Sequence, residues 1–179
     1  MDDSGFEDAS ILTESVRTSI FAYKFDHGRR FHAYKEGAYF MRNDEPEQER
    51  MDLQYRALLL ASGNKLFFAP IRSPRRVLDI GTGTGIWAIE FADQTPEAEI
   101  IGTDLSPIQP RYVPPNLKFE IDDAEDEWTF PENHFDYIHE RLVICGSIKI
   151  LKNYLTSPFG EPESWGRHPS TFFKSDTIL

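Results

Sequence analysis

Four carboxylates and one glycine-rich turn have a spacing that suits chemistry. Asp79 lies in the apolar run Arg76–Val77–Leu78–Asp79–Ile80, and the turn Gly81–Thr82–Gly83–Thr84–Gly85 follows at once. Glycine tolerates positive φ and lets ligand atoms approach the backbone, while a helix behind such a turn offers free N–H groups. Dinucleotide sites share this logic but use Gly-x-Gly-x-x-Gly against a pyrophosphate. Here the spacing is Gly-x-Gly-x-Gly, with a carboxylate two residues ahead of the first glycine. Asp79 would repel a pyrophosphate and suits a ligand carrying an ammonium or sulfonium. The competing reading of the same residues is a plain tight turn. Asp104 closes a second apolar run, 19 residues after Gly85, where a carboxylate accepts hydrogen bonds from both hydroxyls of a ribose. Its alternative role is a cap on Ser106 and Pro107. Asp122–Asp123–Ala124 follows a third run, within reach of an adenine edge, or else forms an exposed acidic loop.

The elements that must position these residues are legible in outline. Arg76–Ile80 reads as a short strand, Ile86–Ala92 as a helix with Ala88, Phe91 and Ala92 on one face, and Glu99–Leu105 as a second strand. Four prolines between Pro107 and Pro115 exclude regular structure there. Leu117–Ile121 and Phe135–His139 are expected as a third and fourth strand, giving an α/β class with a mostly parallel sheet. Upstream, Asn43 or Asp44 caps a helix running to Ser62, with Pro46 in its first turn, an apolar stripe of Met51, Tyr55, Leu58 and Leu59, and Gly63 as terminator. That stripe must be buried, so this helix is expected to dock on the later domain. A further helix is expected from Thr13 to about Lys24, whereas Arg29–Phe40 carries no clear periodicity.

Composition narrows the partners. The chain has 179 residues with 14 Phe, 7 Tyr and 3 Trp, enough to build one core. Its 19 basic and 30 acidic residues give a net charge of −11, and nine carboxylates with no Lys or Arg fall between Glu120 and Glu140. Nucleic-acid backbones and anionic membranes are disfavoured, since both need clustered positive charge. One cysteine, Cys145, excludes an intrachain disulfide and a cysteine metal cluster, and the histidines lack metal-ligand spacing. No run approaches a membrane span and Met1–Asp2–Asp3 is unlike a signal peptide, so an intracellular setting, cytoplasm or nucleus, is expected.

Taken together, Val77–Leu78–Asp79–Ile80–Gly81–Thr82–Gly83–Thr84–Gly85–Ile86–Trp87–Ala88, Ile101–Gly102–Thr103–Asp104–Leu105–Ser106–Pro107, Phe119–Glu120–Ile121–Asp122–Asp123–Ala124–Glu125 and Phe135–Asp136–Tyr137–Ile138–His139 resemble the class I S-adenosylmethionine-dependent methyltransferases. With His32–Ala33–Tyr34 and Asn43–Asp44–Glu45, the resemblance is to the fungal branch related to the LaeA regulator of secondary metabolism and extends over residues 30–148. It implies a Rossmann-like sheet and S-adenosyl-L-methionine as cofactor. Gly81, Thr82, Gly83 and Gly85 would line its methionine part and Asp79 its amino group. Asp104 would hold the ribose, Leu105 would pack on the adenine, and Asp123 and Ala124 would meet the adenine edge. His139 and Arg141 would face the sulfur and the substrate cleft, and Tyr34 and Tyr39 lie in a segment resembling the family's cover.

Methyl transfer is a displacement at an activated carbon, so alignment and exclusion of water matter most. A base is needed only for an acceptor that sheds a proton, and His139 is the nearest candidate. The family sheet has seven strands, whereas the 31 residues after Ile148 are rich in Pro, Gly and Ser and leave the family pattern. The sheet is therefore expected to stop after its fourth strand, as in a truncated product of a longer gene. The expected organisation is a tail over 1–10, a helical cover over 11–70, a partial cofactor domain over 71–148 and an irregular tail over 149–179. Two functions follow. One is methyl transfer to an unknown small-molecule or protein acceptor. The other is a non-catalytic cofactor-binding or scaffold role, with regulatory protein partners.

Overall fold

The computed structural model describes residues 23–32, 34, 41–127, 129–131 and 134–142. Two sheets and two helices are built from them. β1 (Lys24–Asp26) and β2 (Arg29–Phe31) form an antiparallel hairpin turning at His27 and Gly28, both with positive φ. The helix expected from Thr13 lies outside the described residues up to 22, and Lys24 opens a strand instead of closing a helix. Residues 24–31, which fall in the segment expected to be helical, thus form a hairpin. Its strands are three residues long, largely charged and not deeply buried, so no hydrophobic alternation announced them.

α1 (Glu45–Ala61) follows the hairpin. Asp44 is its N-cap, accepting from the Glu47 amide at 3.2 Å, which satisfies one of the orphan donors of the first turn. The same carboxylate grips the Arg29 guanidinium, through Nη2 at 2.8 Å and through Nε. Arg29 holds Asp44 well below the usual carboxylate range. One residue therefore starts the helix and ties the hairpin to it. The helix ends at Ser62, with Gly63 and Asn64 both at positive φ.

The larger sheet contains β3 (Arg76–Ile80), β4 (Glu99–Asp104), β5 (Leu117–Ile121) and β6 (Tyr137–Glu140), all parallel, in the order β5-β4-β3-β6. α2 (Ile86–Gln94) crosses from β3 to β4. The first and third strands have the expected bounds. The fourth begins at Tyr137 rather than Phe135, because Asp136 is spent as an anchor: its Oδ2 accepts from the Arg75 and Arg76 amides at 2.8 and 2.9 Å. Among the described residues β6 pairs only with β3.

The two-residue period of the strands sorts side chains between two cores. Val77, Ile100, Leu117 and Tyr137 pack with Trp87, Ala88, Phe91 and Ala92 of α2, and with Tyr55 and Leu59 of α1. Leu78, Ile80 and Ile101 point the other way, against Phe135, Phe130 and Ala124. Of the expected α1 stripe, Tyr55 and Leu59 are buried in this core, while Met51 and Leu58 are half-buried and border the cavity described below.

Phe119 fixes how closely α2 and the strands approach. A Cβ at Gly102 would lie 2.7 Å from its ring, and one at Gly85, which has φ +82°, would collide with it outright. Gly85→Ala is expected to lower stability by about 2–4 kcal/mol, from left-handed strain plus overpacking. Urea denaturation should show part of that loss restored when Phe119→Leu is added. Asn116 spans the turn after α2, its Nδ2 lying 3.0–3.2 Å from the Ala92, Thr95 and Ala98 carbonyls. Asn116→Ala should cost about 1–3 kcal/mol in the same assay, since the bonds across the turn are lost and the Ala98 carbonyl loses its Asn116 donor, while the Ala92 and Thr95 carbonyls keep the Thr95 and Ala98 amides.

Candidate functional site

In an open parallel sheet, ligands bind beyond the carboxyl ends of the strands where the strand order reverses. Here that place is the end of β3, with β4 on one side and β6 on the other. A cavity of about 390 Å³ opens there, within the size range of small-molecule sites. Its walls come from the ends of β3, β4 and β6, from the glycine turn, and from α1 through Met51, Tyr55 and Leu58.

The glycine turn is held from four directions. The Thr82 amide donates to the Thr103 carbonyl at 3.0 Å. The Gly83 amide donates to Asp104 Oδ2 at 2.8 Å, and Gln109 Nε2 donates to the Gly83 carbonyl at 2.7 Å. Thr84 Oγ1 donates to Asp52 of α1 at 2.6 Å. Met51 lies over the turn, 3.6 Å from where a Cβ on Gly83 would stand.

Asp104 ends β4 on the cavity wall. Besides the Gly83 amide it accepts from the Ser106 amide at 2.8 Å. Burial pushes its carboxyl up to about 6; the two amide bonds oppose that shift and the charge of Asp79 adds to it. Asp122 and Asp123, after β5, also border the cavity. Burial raises Asp122 above its ordinary value, and the neighbouring carboxylates of Asp126, Asp123 and Glu120 add to the rise. Asp123 Oδ1 accepts from the Glu125 amide at 2.8 Å, which shapes this acidic turn.

Asp79 sits opposite His139 in the β3–β6 register. Both side chains therefore face α2, and His139 Nδ1 lies 2.8 Å from Asp79 Oδ1, with side-chain exposures of 3% and 4%. Thr82 Oγ1 donates to the other Asp79 oxygen. The Trp87 indole stacks on the imidazole, centroids 3.6 Å apart and planes within 2°. Trp87 Nε1 and Arg141 Nη2 both donate to the Leu66 carbonyl, at 2.9 and 3.2 Å.

The residues read from the sequence mostly converge. Asp79, Gly81, Thr82, Gly83, Asp104 and Leu105 line the cavity, and so do Asp123, Ala124, His139 and Arg141. Gly85 does not: it stands off the wall, where it starts α2 and makes room for Phe119. Tyr39 lies outside the described residues. Tyr34 is absent from the lining, and its carbonyl is 2.7 Å from His32 Nδ1. Sequence reading missed Trp87, Asn43 and Ser106 as wall residues. Asn43 was legible only as a cap, yet it is buried and its Nδ2 reaches Ser106 Oγ at 3.4 Å.

Comparison with known proteins gives the family. Residues 49–156 match the model of a methyltransferase domain. The chain is 44% identical to methyltransferase pytC of Aspergillus terreus over 138 residues, 75% of this chain and 42% of that protein. It is 43% identical to the secondary metabolism regulator LAE1 of Cochliobolus heterostrophus over 129 residues, 69% of this chain and 42% of that one. To the protein-methionine methyltransferase laeA of Emericella nidulans it is 38% identical over 144 residues, 78% of this chain and 38% of that one. The chain thus spans about two fifths of the length of these relatives. An α/β sheet with its cavity at the order reversal, matched over most of its residues by the domain model, places this chain in the methyltransferase domain family, related to the fungal LaeA-like proteins.

Proposed function

We propose that this chain provides the cofactor-binding part of an S-adenosylmethionine-dependent methyltransferase. The observation that carries this reading is the Asp104–Gly83 contact. It sets the carboxylate suited to a ribose beside Gly83, which has no side chain, on the wall of one cavity. The donor set fits the ligand. Acidic groups at Asp104, Asp122 and Asp123 gather around one part of the wall, suited to ribose hydroxyls and an adenine amine. Gly81, Thr82 and Gly83 leave room for the amino-acid part, Asp79 lies beneath them for its ammonium, and Arg141 supplies a cation for its carboxylate. Leu105 gives an apolar surface for the base, and Ala124 lies beside Asp123 at the adenine edge. When bound, the cofactor supplies a methyl group on a positively charged sulfur.

The chain's own residues do the rest. α1 closes one side of the cavity through Met51 and Tyr55, which excludes water from the transfer. The Tyr55 hydroxyl is spent on Glu90 at 2.6 Å, and burial together with that carboxylate raises it further above its ordinary range. Tyr55 is therefore a wall and not a proton donor. The acceptor is a small molecule or a protein side chain. His139 is the group placed to assist one that must lose a proton.

Calorimetric titration of the chain with S-adenosylmethionine should show binding that Asp104→Ala abolishes; no heat with the wild-type chain would overturn the reading. The pH dependence has a definite sign. Ribose hydroxyls donate to an ionised carboxylate, and Asp104 loses its charge as pH falls through about 6. The association constant should be level above pH 7 and fall about tenfold per unit below the Asp104 value.

A further inference from the structure

Asp79 was expected to serve the ligand, but most of its bonding is directed inward. One oxygen receives Thr82 Oγ1 and the other faces His139 Nδ1 at 2.8 Å. The pairing follows from register, since Asp79 and His139 are direct neighbours across β3 and β6. A carboxylate can only accept, so the proton in this contact belongs to Nδ1. The imidazole ring cannot flip without breaking that bond and leaving its stack on Trp87, 3.6 Å away and parallel within 2°. Trp87 is itself pinned through Nε1 to the Leu66 carbonyl. The carboxylate, the indole and the strand pairing thus fix the ring's position, orientation and tautomer. In its neutral form the ring keeps one lone pair, on Nε2, and His139 lines the cavity.

We propose that Asp79 is a positioning residue for His139, and that Nε2 takes the proton from a protic methyl acceptor, an O–H or N–H nucleophile. The inference rests on the function proposed above. In the step, the acceptor's oxygen or nitrogen forms a bond to the methyl carbon. The carbon–sulfur bond breaks, with its electron pair left on a neutral thioether, and the acceptor's proton passes to Nε2. A thioether acceptor has no proton to shed and would leave this arrangement without a use. The dyad therefore points to a protic class of substrate.

The test reads the imidazole directly. Two-bond proton–nitrogen NMR on the nitrogen-15-labelled full chain, with His139 assigned by its loss in His139→Gln, should show the neutral ring protonated at Nδ1. Asp79→Ala should release it toward the Nε2–H form that free histidine prefers. A wild-type ring protonated at Nε2 would overturn the positioning role, and this measurement needs no cofactor. The second arm titrates phenol and then anisole, with and without S-adenosylhomocysteine. Phenol should shift the Nε2 resonance and anisole, which has no proton to donate, should leave it in place. Equal responses, or none to phenol in either condition, would overturn the proton-accepting role. Calorimetry with S-adenosylhomocysteine, run alongside, shows separately whether cofactor binding has failed.

Discussion

Parallel pairing of β3 with β4 on one side and β6 on the other puts Asp79 between Gly102 and His139. From that register the rest of the site follows. A shift of one residue would turn Asp79 toward Leu78's core and leave a carboxylate among Ile101, Phe135 and Ile138. The register is held by burial on both faces of the sheet and by Asp136, which fastens the start of β6 to the start of β3. The glycine turn then leaves β3 at a fixed height, and its Thr82 and Gly83 amides meet the end of β4. Electrostatics is arranged over this frame: one carboxylate is paired with an imidazole beneath the turn, and a second, at Asp104, is left facing the cavity.

How much of this was readable in advance depended on how local each cause was. β3, β5 and α1 have boundaries set by neighbours in sequence: apolar runs, a capping Asp44, a glycine after the last turn. They were legible almost to the residue. The cavity wall was legible because its residues cluster in three short strings after three strands. The Asp79–His139 pair was not, since 60 residues separate the two and only strand order joins them. Trp87 falls outside the Ala88, Phe91 and Ala92 face read for α2, and nothing in its spacing revealed an imidazole beneath it. Gly85 misled in the opposite direction. It sits in a string that looks wholly dedicated to ligand, yet its missing side chain answers to Phe119, which lies 34 positions on. The hairpin escaped notice because its stability comes from Arg29 and Arg30 reaching Asp44 and Asn43, not from an apolar face.

The turn between β3 and α2 shows how a glycine-rich segment can be ordered without losing its use. Gly81, Gly83 and Gly85 give it wide conformational freedom, which costs entropy to restrain. Tethers to Thr103, Asp104, Gln109 and Asp52 supply that restraint from three separate parts of the chain. One of them comes from α1, so the helix that closes the cavity also helps set the turn beneath it. Cover and floor are mechanically one unit.

The anchoring of β3 by Asp136 also matters while the chain is being made. β3 leaves the ribosome long before the carboxylate that receives the amides of Arg75 and Arg76, about 60 residues later. At roughly 5–20 residues per second, that leaves one edge of an apolar strand without a neighbour for some 3–12 s. β4 can cover the opposite edge much sooner. Nascent-chain folding of this sheet is therefore directional, with the β6 side the last to become safe from aggregation and the one where a chaperone would find most to hold.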